Sequence, residues 1–301
     1  MHVDLFRVSI LVLMSVSSVT ALSASNDPNS ELREIFGRVG CGNSTTGVFV
    51  RENHNEQQFL DDNSTSTYLA ISNEYLGIST QQASQIFGSE KGFHLAGTMR
   101  SDQYVLELTL IRDKQLRFRP DSSSNESIHD LNLAQAEFDW SWSSDASFKT
   151  LIDQQKFPKS STYWFFADAL TYQGGFTTDP SVSKFGLTKF SKFGQSEFLG
   201  IGAGLGAAGY IQIGSWYATA MTNINILLTR AQTHFGSNVV TSTIQNYQLT
   251  PSRISTGIGW HSTENTVGMF YQQLDWPIGT VDGVYVETFR AETTLFYQRA
   301  F

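Results

Sequence analysis

The sequence predicts an all-β fold, a transmembrane antiparallel up-and-down β-barrel of about 12 strands, with a range of roughly 10–14. Three observations predict it. Apolar and polar residues alternate with a period of two in repeated segments of about ten residues, the length of a membrane-crossing strand. An apolar run near the N-terminus indicates export. The sequence finishes on an alternating, aromatic-rich segment whose last residue is Phe301.

The N-terminal part of the chain is predicted to lie outside the barrel. Residues 8–16 form an apolar run, and residues 19–21 have the small-x-small form at which signal peptidases cleave. We therefore expect a signal peptide over residues 1–21, an N-terminal periplasmic segment over 22–44 and the β-barrel over 45–301. The apolar run is too short for a helix that crosses a bilayer, which needs about 20 residues.

The predicted strands follow one another at short intervals. Prolines and polar runs fall between them, where a missing backbone N–H does no harm. Aromatic residues gather near the segment ends, as the interfacial girdles of a membrane barrel require. The segments are 46–52, 67–78, 93–100, 104–111, 132–142, 163–172, 198–214, 216–230, 253–260, 266–272 and 284–301.

The last segment shows the alternation most clearly. One row of side chains is apolar or aromatic in its middle, with Phe289, Leu295 and Tyr297 among its members. The other row carries Arg290 and Glu292 in its middle. Ions can occupy that second face only if it meets water or polar partners, so the first row is predicted to face lipid and the second the barrel lumen.

The segment 198–214 is rich in glycine, which raises the question of a phosphate-binding loop. Its spacing does not form G-x-G-x-x-G, because Ala207 stands at the third glycine position, and no lysine follows. We interpret the segment as a barrel strand that needs small residues on a crowded inner face.

Charged residues within strands are predicted to line the lumen, where they form ion pairs or a solute path. They are Glu107, Asp168, Arg253, Arg290 and Glu292, together with Glu137 and Asp139. Asp168 lies among aromatic residues, and we expect it to pair with Arg253, Arg290 or Lys189.

No catalytic residues, cofactor site or metal site are predicted. The nearest local cluster of suitable residue types is His261 and Ser262 with Glu264, and such clusters arise by chance in a serine-rich chain. No D-x-D-x-D-G series supports calcium binding, and the single cysteine, Cys41, excludes an intrachain disulfide and a cysteine-based zinc site. We expect no enzymatic activity.

The net charge and the amino-acid composition limit the kinds of partner that the protein is expected to bind. The net charge is -8, which argues against a nucleic-acid-binding protein, since such proteins carry basic patches. Charged residues make up only 16% of the chain and aromatic residues 13%, a mixture unusual for a soluble protein.

The end of the chain resembles the C-terminal signature of bacterial outer-membrane barrels, which the barrel assembly machinery is thought to read. Leu295, Tyr297 and Phe301 share one row and form this predicted assembly signal. Arg299 departs from the signature, which prefers an apolar residue there.

A second resemblance is to a bacterial family of uncharacterised outer-membrane barrel proteins, a domain of unknown function. It rests on Tyr75–Ser79, Lys91-Gly92 ahead of a strand, Tyr172–Phe176 and the stretch 185–206. It covers roughly residues 45–301 and implies a barrel fold without an established activity.

The sequence therefore predicts an outer-membrane protein with a structural, surface-interaction or small-solute channel role. Its expected partners are the lipid bilayer and the assembly machinery, and no ligand is identified. Two alternatives remain open, a secreted soluble β-sandwich that binds carbohydrate and an outer-membrane barrel enzyme.

Overall fold

The alternating segments fold as antiparallel strands that pair mostly in chain order. The computed structural model describes residues 35–61, 64–73, 76–83, 92–118, 128–154, 157, 159–235 and 238–300. Its strands are β1 (Phe36–Glu52), β2 (Asn55–Leu60), β3 (Ser64–Ser72), β4 (Leu76–Ala83), β5 (Gly92–Arg100), β6 (Tyr104–Phe118), β7 (Ile128–Trp140), β8 (Ser161–Thr178), β9 (Gln195–Ile213), β10 (Trp216–Phe235), β11 (Asn238–His261), β12 (Asn265–Val281) and β13 (Val284–Ala300). A short helix, α1 (Phe148–Asp153), and two 3-10 helices (Pro180–Phe185 and Phe190–Lys192) lie in connections.

The sheet closes on itself, because β1 pairs with β13 along its whole length, from Phe36 opposite Ala300 to Glu52 opposite Val284. β2 and β3 both pair with β1 and are two parts of one wall strand, so the segments form a twelve-stranded antiparallel barrel. The predicted fold class and strand number are confirmed. The alternative of a β-sandwich is wrong, since a sandwich would leave its two sheets unjoined.

The barrel wall begins earlier than the sequence indicates. β1 starts at Phe36, and residues 36–44 pair with both β13 and β3. This part of the chain therefore belongs to the wall and not to the predicted periplasmic segment over 22–44. The predicted signal peptide, residues 1–21, lies outside the described residues and stays a prediction. In the described part of the chain, no helix has the length and apolar character needed to cross a bilayer.

The two faces of the wall differ in chemistry. Large apolar side chains occupy the outward positions of the strands, for example Leu205, Ile226 and Leu295, which are 65%, 52% and 58% exposed. The inward positions hold polar and charged groups in the middle of the barrel and apolar clusters toward both ends. Apolar side chains cannot stay in water in such numbers, and a closed barrel with this outer face spans a membrane.

The inward glycines of β9 make room for large side chains of the neighbouring strands. A Cβ atom at Gly206 would lie 2.1 Å from the Phe166 ring, and one at Gly200 would lie 2.2 Å from the Tyr172 ring. The glycine-rich segment is thus a wall strand with a crowded inner face, as predicted.

We call the barrel end that holds Phe36 the terminal end, and the opposite end the distal end. At the terminal end, residues 141–154 enter the barrel and form what we call the terminal plug. Phe148 of α1 is fully buried and meets the rings of Trp164 and Phe166 edge-on, at centroid distances of 5.7 and 5.4 Å. Arg38 of β1 donates to the Ile152 carbonyl oxygen at 3.0 Å, which ties the plug to the wall.

At the distal end, residues 179–194 fold over the opening and form what we call the distal cap. Phe190 and Leu187 of the cap are fully buried in an apolar core that fills this half of the barrel. The Glu52 carboxylate accepts hydrogen bonds from the backbone N–H groups of Lys189 and Phe190 and from the Thr188 hydroxyl, at 3.0–3.2 Å. These bonds fix the cap to the end of β1.

One seam of the wall is shorter than the rest. β11 pairs with β12 only from His261 opposite Thr266 to Arg253 opposite Leu274, whereas β11 stays paired with β10 as far as Asn238. Beyond this point β12 turns inward, where the Pro277 carbonyl oxygen accepts a hydrogen bond from the Tyr172 hydroxyl at 2.5 Å. Arg253 therefore lies where the two strands part.

Candidate lumen site

The structure places all five predicted lumen charges on the inner face, between the terminal plug and the distal apolar core; Asp168, Arg253, Arg290 and Glu292 are buried, and Glu107 is partly buried. They separate into two groups. The Arg253 cluster comprises Glu107, Glu137, Asp139, Asp168 and Arg253. The Arg290 cluster comprises His94, Asp113, Arg290 and Glu292.

The Arg253 cluster is built by three adjacent strands that carry acidic residues directly opposite one another. Glu107 of β6 is paired with Glu137 of β7, and Asp139 of β7 is paired with Asp168 of β8. Like charges in such cross-strand positions destabilise a sheet. The register therefore concentrates negative charge in one patch of the inner wall.

Arg253 reaches this patch from β11 on the other side of the lumen. Its Nη2 lies 2.5 Å from Glu137 Oε2 and 3.7 Å from Glu107 Oε2, and its Nη1 lies 3.1 Å from Asp139 Oδ2. A single guanidinium thus serves three carboxylates, and the cluster holds four acidic side chains against one basic one.

Asp168 does not form the ion pair that the sequence led us to expect. Its Oδ2 accepts hydrogen bonds from the side-chain amides of Asn223, at 2.6 Å, and Asn225 on β10. Lys189 lies in the distal cap, where its ammonium group donates to the Asp282 carbonyl oxygen. The expectation fails because β8 and β10 flank β9, whose inward glycines let the asparagine amides reach across to Asp168.

Two carboxylate oxygens of the cluster receive no hydrogen bond from any N–H or hydroxyl group of the described residues. They are Asp139 Oδ1 and Asp168 Oδ1, and their residues are 1% and 3% exposed. Buried oxygens of this kind normally have a partner, and a buried carboxylate without one is costly.

The Arg290 cluster uses similar groups with a more even balance of charge. Arg290 and Glu292 are neighbours in the same row of β13, with Nη2 and Oε2 3.4 Å apart, and His94 Nδ1 lies 3.7 Å from Glu292 Oε2. Arg290 Nη1 also donates to the Thr46 hydroxyl at 3.0 Å. Asp113 completes the group, so two acids face one arginine and one histidine.

A cavity of about 130 Å³ lies between the terminal plug and these charges. Glu107 and Arg253 border it from one cluster, and His94 and Glu292 from the other. Ile152 of the plug forms part of its boundary on the terminal side. The two clusters therefore border one cavity inside the barrel.

The other predicted residues lie elsewhere. Leu295 and Tyr297 point outward, 58% and 43% exposed, and Phe301 lies outside the described residues. His261 and Ser262 border a turn at the terminal end, where His261 Nε2 contacts Gln212 Nε2 at 2.9 Å and Ser262 bonds to Asn265. In the described chain these two residues meet no acidic partner that would make a catalytic group.

Sequence reasoning did not identify Asn223 and Asn225 as site residues. Both lie in the inward row of β10 and are almost fully buried, at 1% and 0% exposure. Two asparagines two positions apart in a strand of a membrane barrel place polar groups on one face. Such a pattern is typical of a lumen-facing row, but it carries no sign of the carboxylate that the two residues contact.

No family model and no curated protein matches the chain, so the resemblance to an uncharacterised barrel family stays a prediction. Solved structures similar to it include the outer-membrane protease OmpT from Escherichia coli, at 9% identity and a TM-score of 0.42, covering 89% of this chain and 97% of that one. An outer-membrane channel from Pseudomonas putida F1 shares 12% identity at a TM-score of 0.32, covering 92% and 100% of the two chains. The toluene transporter TodX from Pseudomonas putida shares 7% identity at a TM-score of 0.31, covering 90% and 91%. Similarity this low supports no statement about activity, and the barrel assignment stands on the strand ladder of this chain itself.

Proposed function

We propose that the protein is an outer-membrane channel for small cationic solutes, closed in this structure by the terminal plug and the distal cap. The single observation that carries the proposal is the cavity under the terminal plug, which Glu107 and Arg253 border on one side and His94 and Glu292 on the other, beside the buried acids Glu137, Asp139 and Asp168. In this proposal the residues bind and pass a solute and perform no covalent chemistry.

The cost of the buried charges supports a role for them. A charged group removed from water costs several kcal/mol even when it is paired. A barrel that served only as an anchor could fill its interior with apolar side chains, as the distal half of this barrel does. Ionisable residues within a membrane protein mark solute or ion pathways, and the lumen charges fit that pattern.

The sign of the lumen charge favours cations. Rings of carboxylates select cations in pores, because they replace part of the hydration shell and repel anions. Glu107, Glu137, Asp139 and Asp168 face the lumen with Arg253 as the basic residue among them. An anion would meet this patch at close range.

The two closures are separate from the wall, which supports a path that can open. Neither residues 141–154 nor residues 179–194 contribute a strand to the barrel. Each can move aside while the ladder of wall strands stays intact. The short turns of the terminal end are typical of the periplasmic side of such barrels, so the plug faces the periplasm in this proposal.

Conductance in planar lipid bilayers tests the proposal. We expect brief, rare openings for the wild-type protein and steady conductance for a variant that lacks residues 144–154 and carries Glu52→Gln, which loosens the cap. The reversal potential in a salt gradient should show cation selectivity. Glu107→Gln in this background should move the reversal potential toward zero, whereas Glu264→Gln, an equal change of charge in an exposed turn, should leave it unchanged.

The variants must first be shown to fold, by a boiling-dependent shift on a detergent gel. A folded barrel without plug and with a loosened cap that shows no conductance would contradict the proposal. Conductance that prefers anions would contradict its cation assignment.

A further inference from the structure

We propose that Glu137, Asp139 and Asp168 form a binding site for one hard divalent cation of the Ca²⁺ class. Each of the three side chains offers one oxygen, and these oxygens all lie within 4.8 Å of one another. Ca²⁺ binds oxygen ligands at about 2.3–2.6 Å, so ligands on opposite sides of the ion are separated by up to roughly 5 Å. The spacing of the three carboxylates fits an ion of that size.

The unpartnered oxygens point to a ligand independently of the clustering of acids. Asp139 Oδ2 bonds to Arg253, and Asp168 Oδ2 bonds to Asn223 and Asn225, but no N–H or hydroxyl group of the described residues donates to the Oδ1 atom of either. The two aspartate side chains lie within hydrogen-bonding reach of each other, so two carboxylates that are held from one side face each other with an oxygen of each lacking a donor. An oxygen-preferring cation is the partner that such a pair lacks.

The charge balance favours a divalent ion. Asp139 and Asp168 are directly opposite each other on neighbouring strands, an arrangement that costs free energy while both are ionised. Arg253 neutralises one of the four carboxylates of its cluster, which leaves an excess of negative charge in a buried layer. A divalent cation between the two aspartates would remove most of that excess.

Outer hydrogen bonds orient the ligands in the manner of established metal sites. Gln135 donates to Glu137 Oε2 at 2.6 Å and accepts from the Trp276 indole N–H at 2.9 Å. Asn223 donates to both Glu137 Oε1, at 2.9 Å, and Asp168 Oδ2. Partners of this kind fix the carboxylate rotamers, and their loss weakens metal binding.

Equilibrium dialysis with ⁴⁵Ca²⁺ on the folded barrel in detergent, first stripped with chelator, tests the site. We expect one saturable Ca²⁺ per chain for the wild type. Asp168→Asn and Asp139→Asn should each abolish saturable binding over the range in which the wild type saturates. Asn223→Ala should weaken the affinity by about 10- to 100-fold, the effect of losing an outer partner.

Glu264→Gln is the matched control, since it removes one carboxylate from an exposed turn, and we expect it to bind Ca²⁺ like the wild type. Two results overturn the proposal. One is the absence of saturable Ca²⁺ binding by the folded wild type, which would mean that the aspartates share a proton instead. The other is wild-type affinity in the folded Asp139→Asn and Asp168→Asn variants.

The site adds a resident ion to the proposed channel, yet it does not rest on conduction. Dialysis reads binding in detergent, whereas the bilayer experiment reads passage. Binding without conductance would contradict the channel alone, and cation-selective conductance without binding would contradict the ion site alone.

Discussion

Two clusters of charged side chains face the same cavity, and they differ in how the wall arranges their charges. In the Arg290 cluster the ion pair lies along one strand, with Arg290 and Glu292 in the same row of β13. In the Arg253 cluster acids stand directly opposite acids on β6, β7 and β8, and the compensating arginine comes from a distant strand. A pair two positions apart on one strand balances its charges locally, whereas acids on three strands need a partner from another strand.

This difference teaches where to look for function in a barrel lumen. A locally balanced pair fills space and holds the wall at modest cost. An acid-rich patch is unfavourable without a partner, and its persistence indicates a ligand or a solute. Each cluster has buried carboxylate oxygens that no donor reaches, Asp113 Oδ2 in one and Asp139 Oδ1 and Asp168 Oδ1 in the other, but Asp139 and Asp168 also lie directly opposite each other on paired strands and share one arginine with two further acids.

The largest expected effect comes from removing the arginine of each cluster. Arg253→Met leaves four acids, three of them buried, without their guanidinium, and we expect a loss of about 3–5 kcal/mol in the free energy of unfolding. Arg290→Met should cost less, because fewer acids depend on Arg290. Urea unfolding in detergent micelles measures both. If Arg290→Met lowered the free energy of unfolding as much as Arg253→Met or more, the Arg253 cluster would not depend more strongly on its arginine, and the comparison would fail.

Both clusters depend on which row of each strand faces inward, and arginine substitutions on β13 test that assignment. Leu295→Arg places a charge on the lipid face, which costs about 2–4 kcal/mol near the bilayer midplane and should block assembly. Thr294→Arg points into the cavity beside acidic groups and should be milder. The measurement is the folded fraction in a membrane-assembly assay, and equal behaviour of the two variants would contradict the assignment.

Neutralising one acid in each cluster should lower the stability of the folded barrel in only one of the two cases when chelator is present. Asp168→Asn relieves the repulsion with Asp139 and can donate its new amide to Asp139 Oδ1, so we expect unchanged or higher stability. Glu292→Gln weakens the contacts with Arg290 and His94, with an expected loss of about 1–3 kcal/mol. Unfolding midpoints in detergent compare the two. A loss of equal size for both would mean that both clusters are balanced pairs.

The smallest expected effect concerns the distal cap, whose response to acid provides a reference for the two charge clusters. Hydrogen bonds from Ser181 lower the pKa of Asp179, the residue that caps the first 3-10 helix. A lowered folded-state pKa means that this contribution is present above the unfolded value of 3.8 and is lost as the pH falls through the folded value. Asp179→Ala should cost about 1 kcal/mol or less at neutral pH and flatten the pH dependence of cap opening below pH 4, measured by limited proteolysis.

Much of the wall could be predicted from the sequence, because alternation with a period of two is a local property of each strand. The alternation predicted that Leu295 and Glu292 lie on opposite faces of the last strand, without any knowledge of neighbouring strands. It could not give the start of β1 at Phe36, since residues 36–44 are rich in glycine and polar residues and show little apolar alternation.

The set of residues that form the site could not be predicted from the sequence, for a related reason. Which inward acids meet depends on the register between strands, and Asp168 meets the two β10 asparagines only because the β9 glycines between them leave space. The plug was also unpredictable, as a six-residue helix carries too short a pattern to recognise. Its burial arises from tertiary contacts of Phe148 with the wall.

The most direct test of the central claim compares how Ca²⁺ changes the unfolding midpoint of the wild type, Asp168→Asn and Glu292→Gln. A ligand that binds only the folded state raises its stability by mass action. We predict that Ca²⁺ raises the midpoints of the wild type and Glu292→Gln by similar amounts and leaves that of Asp168→Asn unchanged. The same shift in all three proteins, or no shift in any, would contradict the claim that the Arg253 cluster is a cation site.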